Sequence, residues 1–165
     1  METRLSKRTF LGSAAAALGA FGIAGCSRKS EAAPNETFEV TKSPEEWRAI
    51  LTPQQYAVLR EESTERAGSS PLNAEHRRGT FACAGCALPV YTSETKFESG
   101  TGWPSFTAPI QGAVRTKDDP GFFGTRTEVH CRRCGGHLGH VFDDGPKPTG
   151  QRYCMNGIAM TFNVA

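Results

Sequence analysis

Two cysteine pairs at one short spacing, Cys83-Ala-Gly-Cys86 and Cys131-Arg-Arg-Cys134, constrain this chain more than any other feature. A CxxC knuckle turns two thiolates toward one point, and two knuckles together supply the four sulfur ligands of a tetrahedral Zn²⁺ site. Residues 87–130 lie between them, too long a gap for a minimal zinc ribbon. The metal is therefore expected to clip together strands remote in sequence, with the domain built into the gap. Four sulfurs close the coordination shell, so such a metal is structural and holds no reacting water. The competing reading is two disulfides or a redox-active pair, which an oxidising compartment would permit. Neither motif, however, is followed by the helical pattern of a thioredoxin-like site.

The compartment is read from the N-terminus. "METRLSKR" precedes an apolar, Ala- and Gly-rich run from Phe10 to Gly25, the layout of an export signal. The run is too short and too small-residued for a membrane span, which takes ~20 strongly apolar residues. Ser6-Lys-Arg-Thr-Phe-Leu11 is like a twin-arginine motif with Lys7 in the first arginine place. Ile23-Ala-Gly-Cys26 resembles a lipobox, in which the signal is cut before Cys26 and that cysteine takes the lipid. An ordinary cleaved signal or an uncut anchor are the alternatives. The expected organisation is a signal over 1–25, a polar tether over 26–42 and one domain over 43–165. The expected location is exported, on the periplasmic or cell-envelope side, held to a membrane through a lipid on Cys26. A twin-arginine route carries folded proteins, so the metal would be loaded before the thiols met an oxidant. Arg4, Lys7 and Arg8 against Glu2 account for the whole formal charge of +2. The body is neutral and lacks any long Lys/Arg run, which argues against a nucleic-acid partner. A monomer is expected.

The chain's 18 glycines and 10 prolines point to a loop-rich, mainly β (α+β) domain rather than a helical bundle. Two short helices come first. Ser43-Pro-Glu-Glu46 and Thr52-Pro-Gln-Gln55 are capping boxes with proline at the first helical position. Trp47, Ile50, Leu51, Tyr56 and Leu59 form the expected apolar stripe. From Thr80 onward the pattern is short strands and turns, and the clearest strand alternates Ile158, Met160, Phe162 and Val164.

Cys154 belongs to neither pair. If residues 152–158 run extended, Arg152, Cys154 and Asn156 share a face that continues into that last strand. An adjacent guanidinium favours the thiolate, the nucleophilic form. On spacing alone a buried structural cysteine is the slightly stronger reading. His137-Leu-Gly-His140 follows the second knuckle. With four cysteines on the metal, these histidines are free for acid–base work, or they are ordinary turn histidines. "FDDGPKPTG" is turn chemistry first, with Asp143 or Asp144 available to orient a histidine. The Gly/Pro-flanked loop "SGTGWPSF" presents Trp103 and Phe106, either as core plugs or as an apolar cage for a methyl group or sulfur.

Together, "LTPQQYAVLREESTER", "CAGC", "YTSETKFESGTGWPSF", "CRRCGGHLGHVFDDGPKPTGQRYCMN" and the closing strand resemble the methionine-R-sulfoxide reductase family, MsrB. The resemblance covers roughly residues 43–163. It implies two small antiparallel sheets with N-terminal helices and one structural Zn²⁺ on Cys83, Cys86, Cys131 and Cys134, away from the active site. It implies Cys154 as nucleophile, Trp103 and Phe106 at the substrate methyl, and His137 and His140 lining the sulfoxide pocket with His140 as the acid. Asp144, Arg152 and Asn156 would support that pocket. The implied partners are proteins carrying methionine-R-sulfoxide and a thioredoxin-like or small-thiol reductant. Two places depart from the family pattern. Thr101 stands where many members have a recycling cysteine, and Gly157 stands where serine is usual, which is expected to loosen the strand after Cys154. The rivals are a zinc-clipped binding module without chemistry and a peroxide-sensing thiol.

Overall fold

The computed structural model describes residues 36–121 and 124–165, of which Glu36–Ala165 form one compact unit. The signal, Cys26 and most of the expected tether lie outside the described residues.

Both capping boxes form. In α1 (Pro44–Ile50) the Ser43 hydroxyl accepts from the Glu46 amide while Glu46 accepts from the Ser43 amide. In α2 (Pro53–Glu61) Thr52 and Gln55 repeat the exchange. Trp47, Leu51 and Leu59 are buried as the stripe required, but Ile50 is 56% exposed and Val58 takes the inward place. The reason is that α1 ends at Ile50, so a helical period carried through it into α2 has no single face to follow.

Among the described residues nine strands follow, all paired antiparallel: β1 (Gly79–Cys83), β2 (Pro89–Thr92), β3 (Lys96–Phe97), β4 (Ser105–Phe106), β5 (Val114–Gly121), β6 (Gly124–Cys131), β7 (His137–Phe142), β8 (Arg152–Met155) and β9 (Met160–Val164). They make a three-stranded sheet in the order β2-β1-β9 and a six-stranded sheet in the order β3-β4-β8-β7-β6-β5. The mainly β expectation with two antiparallel sheets is met. The core is sealed by Phe81 of the first sheet set edge-on against Phe106 of the second, with ring centroids 5.0 Å apart. Tyr91 stacks on Phe106 at 4.3 Å, and its hydroxyl donates to Met155 Sδ at 3.0 Å.

Two sequence expectations are corrected. The extended run from Arg152 to Val164 is not one strand: β8 stops at Met155, a 3-10 turn occupies Gly157–Ala159, and β9 restarts in the other sheet. Period-two alternation cannot reveal such a switch, because Ile158 and Ala159 satisfy it by residue type alone. The end of the expected tether is also packed. Phe38 lies against Gly135 of the second knuckle, the Val40 amide donates to the Arg133 carbonyl at 3.0 Å, and Glu36 sits 2.8 Å from His130 Nε2.

Candidate active site and metal centre

The two knuckles close the ends of strands from different sheets. Cys83 ends β1 and Cys131 ends β6, so a metal there ties the three-stranded sheet to the six-stranded one. The four Sγ atoms lie within 4.8 Å of one another, with Cys83–Cys134 at 3.7 Å and Cys86–Cys131 at 3.5 Å. An S–S bond is ~2.05 Å, whereas the sulfur–sulfur edge of a tetrahedron with Zn–S near 2.3 Å is about 3.8 Å. The donor set therefore fits structural zinc. Hydrogen bonding to Cys131 pushes the Cys83 and Cys134 thiols up, while the Cys86 and Cys131 thiols are pulled down by bonds from their neighbours. A divalent cation bound there would displace the thiol protons. α1 and α2 cover it: Trp47 and Leu59 lie against Gly85, and Arg60 donates to the Cys134 carbonyl at 3.0 Å.

Cys154 lies in the interior of the large sheet. In register it stands opposite His140 of β7 on one side and Ser105 of β4 on the other. The close approach of β7 and β8 requires glycine at 139 (φ 156°), where a Cβ would overlap the Cys154 carbonyl. A bulge at Val129/His130 does the rest. Plain alternation puts His137 and His140 on opposite faces, but the extra residue brings their rings to 5.4 Å at 65°.

Each ring is aimed by a carboxylate that sequence reasoning missed. His140 Nε2 lies 2.8 Å from Asp119 Oδ2, and Asp119 is in turn bound by Arg126 at 2.6 Å. His137 Nδ1 lies 2.9 Å from Glu128 Oε1, and Lys117 stands between Glu128 and Glu62 at 2.8 Å from each. A carboxylate accepts, so His140 carries its proton on Nε2 and His137 on Nδ1. That leaves Nδ1 of His140 and Nε2 of His137 uncommitted to a carboxylate, and the latter is buried without a protein partner among the described residues. Burial lowers both histidines below the ordinary value of 6.5, against the upward pull of their acidic neighbours. The two aspartates considered for this task serve elsewhere. Asp143 accepts from Gln151, and Asp144 grips Arg152 through two bonds of 2.8 Å. Arg152 stacks 4.5 Å from the Phe142 ring centroid. It is pushed up by Asp144 first and by the nearby Cys154 sulfur next.

A chain of hydroxyls reaches the same sulfur. Thr101 Oγ1 is 3.9 Å from Cys154 Sγ and 2.8 Å from Ser99 Oγ, and Ser99 Oγ is 2.7 Å from Ser105 Oγ. Ser105 spends its one proton on the Trp103 carbonyl at 3.2 Å. Each hydroxyl upstream then donates along the chain, which leaves Thr101 to accept from the thiol.

Trp103 is half-buried, its indole N–H bonded to the Glu65 carbonyl at 3.1 Å. One expected substrate contact is corrected. Phe106 is fully buried between Phe81 and Tyr91 and has no exposed surface to offer; β4–β8 pairing turns it to the core. Asn156 is 3% exposed, with its amide spent on Leu138 and its carbonyl on the Glu65 amide. It faces inward because β8 has ended before it. A cleft of about 830 Å³ lined by Val58, Glu65, Leu72, Ile158 and Met160 includes neither Cys154 nor the histidines.

A family model described as the SelR domain matches residues 51–164. The chain is 53% identical over 126 residues to a protein of Methanosarcina barkeri named peptide methionine sulfoxide reductase MsrB, covering 76% of this chain and 89% of that one. A namesake from Leptospira interrogans is 48% identical, covering 76% and 96%. One from Bradyrhizobium diazoefficiens is 53% identical, covering 74% and 88%.

Proposed function

This chain belongs to the SelR-domain family, and on that footing we propose that it is a thiol-dependent peptide methionine-R-sulfoxide reductase with Cys154 as nucleophile. The observation that carries the reading is the register across β8, which sets Cys154 directly opposite His140 while Asp119 holds that ring. A sulfoxide sulfur is electrophilic, but its oxygen leaves only when protonated. His140, kept neutral by burial, takes the Cys154 proton through Nδ1, and the thiolate attacks the substrate sulfur. The same ring, its charge balanced by Asp119, returns that proton to the oxygen. The substrate S–O bond breaks and the hydroxyl ends on Cys154. Methionine sulfur gains two electrons, and Cys154 loses two and becomes a sulfenic acid. An external thiol condenses with the sulfenic acid, releasing water, and a second thiol reduces the mixed disulfide. The other four described cysteines belong to the metal cluster, and Thr101 holds the recycling position, so both thiols come from outside the domain. Trp103 takes the methyl group and the histidines take the oxygen, an arrangement that the opposite epimer would invert.

Zn²⁺ on Cys83, Cys86, Cys131 and Cys134 stabilises the junction of the sheets and takes no part in the reaction. The signal over 1–25 and a lipid on Cys26 would place the domain on the envelope side of a membrane, where it repairs oxidised exported proteins. A fatty-acid probe that labels the wild type but not Cys26→Ala supports the anchor, and absence of label on both removes it. The central test is release of methionine from a peptide methionine-R-sulfoxide with dithiothreitol. Cys154→Ser is expected to release none; persisting turnover in that variant would remove the nucleophile assignment, and no release by the wild type would leave a zinc-clipped binding module.

A further inference from the structure

Glu65 lies in the loop between α2 and the 3-10 turn at Pro71–Ala74, and nothing in its spacing singles it out. Yet its polar groups are divided among different parts of the site. Its carbonyl accepts from Trp103 Nε1 at 3.1 Å and its amide donates to Asn156 Oδ1 at 2.9 Å. Its carboxylate accepts from the Gly157 amide at 2.6 Å through Oε1 and from the Ile158 amide at 3.0 Å through Oε2. These amides open the 3-10 turn that follows Cys154, where donors have no partner within the turn. A carboxylate held by two such amides makes charge-assisted bonds, about twice as strong as neutral ones.

The pairing of β4 with β8 places the main chain beside Trp103, but it does not choose the direction of the indole. The ring follows the Glu65 carbonyl, and that carbonyl stays where the carboxylate is anchored. We propose that Glu65 is a positioning residue for substrate binding. It fixes the Trp103 indole relative to Cys154 by tying the ring to the turn that directly follows the nucleophile strand. The inference rests on the reductase reading, because it takes Trp103 as the receiver of the substrate methyl. Glu65 touches no reacting atom, so its loss weakens binding of the methyl group and leaves the sulfur chemistry in place. The Gly68 amide keeps its 2.7 Å bond to the Gly102 carbonyl without it, holding the two loops together.

The test compares wild type, Glu65→Ala, Glu65→Gln, Trp103→Ala and Glu65→Ala/Trp103→Ala, all zinc-loaded. It uses a peptide methionine-R-sulfoxide with dithiothreitol, together with the rate of Cys154 alkylation by iodoacetamide. Glu65→Ala is expected to raise KM about tenfold with kcat nearly unchanged, the signature of lost uniform binding, and to alkylate at the wild-type rate. Glu65→Gln, which keeps one acceptor oxygen, recovers part of the loss. On the Trp103→Ala background Glu65→Ala adds nothing further, because the ring it positions is gone. An unchanged KM in Glu65→Ala beside a raised KM in Trp103→Ala overturns the inference and spares the reductase reading, and so do multiplicative effects in the double variant. An unchanged KM in Trp103→Ala overturns the methyl-binding role itself, and the inference with it. Should Glu65→Ala fail to fold, Glu65→Gln alone and with Trp103→Ala decides by the same outcomes.

Discussion

At the scale of single residues, Asp119 decides which nitrogen of His140 carries the proton. Asp119→Asn keeps an acceptor for the Nε2 proton but removes the charge that raises the ring's proton affinity. His140 then stays neutral to lower pH, so the acid limb of kcat/KM, already expected below 6.5 in the wild type, moves further down. The plateau falls about tenfold, a fraction of the 10²–10⁴ typical of a full acid–base role. A pH–rate profile of both proteins measures the shift; an unmoved limb removes Asp119 from the proton path. Thr101 invites a second substitution. Its oxygen is 3.9 Å from Cys154, so in Thr101→Cys a sulfur replaces it within reach, and one turnover in the absence of reductant should end in an internal disulfide. Mass spectrometry distinguishes that product from the sulfenic acid expected of the wild type. Cys154, Trp103 and the knuckles stood out in the sequence because their residue types carry unusual chemistry. Asp119, Glu128 and Glu65 did not, because a carboxylate acquires its task only from the strand or turn folded against it. Asp143 and Asp144 were nearer the histidines in sequence and drew the attention for that reason alone.

At the scale of elements, local signals were legible and switches were not. Both capping boxes are read from four consecutive residues and form as written. The β8 to β9 transition depends on a turn whose reason lies elsewhere. Gly157 was expected to loosen the chain, yet it is buried and tight: a Cβ there would overlap Ser70 Oγ and come within 3.3 Å of Pro104. Ser70 fills the space that a residue at 157 would otherwise use, and its hydroxyl accepts from the Leu72 amide. Gly157→Ala is expected to cost about 1–3 kcal/mol by overpacking, read as a lowered urea midpoint. Ser70→Gly in the same chain should return part of it, so the pair is non-additive. Additive losses would show that the two positions do not compete for one volume. The long β5–β6 hairpin was equally hard to foresee, because much of β5 is exposed and shows no alternation.

At the scale of the whole molecule, stability concentrates where the sheets meet. Stripping zinc with a chelator should release one ion per chain and lower the thermal midpoint by about 10 °C or more, since metal binding is folding free energy in such sites. Cys83→Ser should reproduce the loss and Cys154→Ser should not. Acid acts on the same body. His130, His137 and His140 are all held below 6.5 by burial, so the unfolded chain takes up protons first as pH falls. Their stabilisation is complete above 6.5 and is lost as pH drops through the lower folded-state values. A urea midpoint that falls between pH 7.5 and 5 checks the sign.

The seat of residues 36–40 on the second knuckle has a mechanical consequence. The chain enters the body through Glu36 and Phe38, beside His130 and Gly135. Tension along any upstream anchor is thus delivered into the metal-braced corner and spread across β1 and β6. Cys154, in the interior of the sheet, would feel little strain under such a pull.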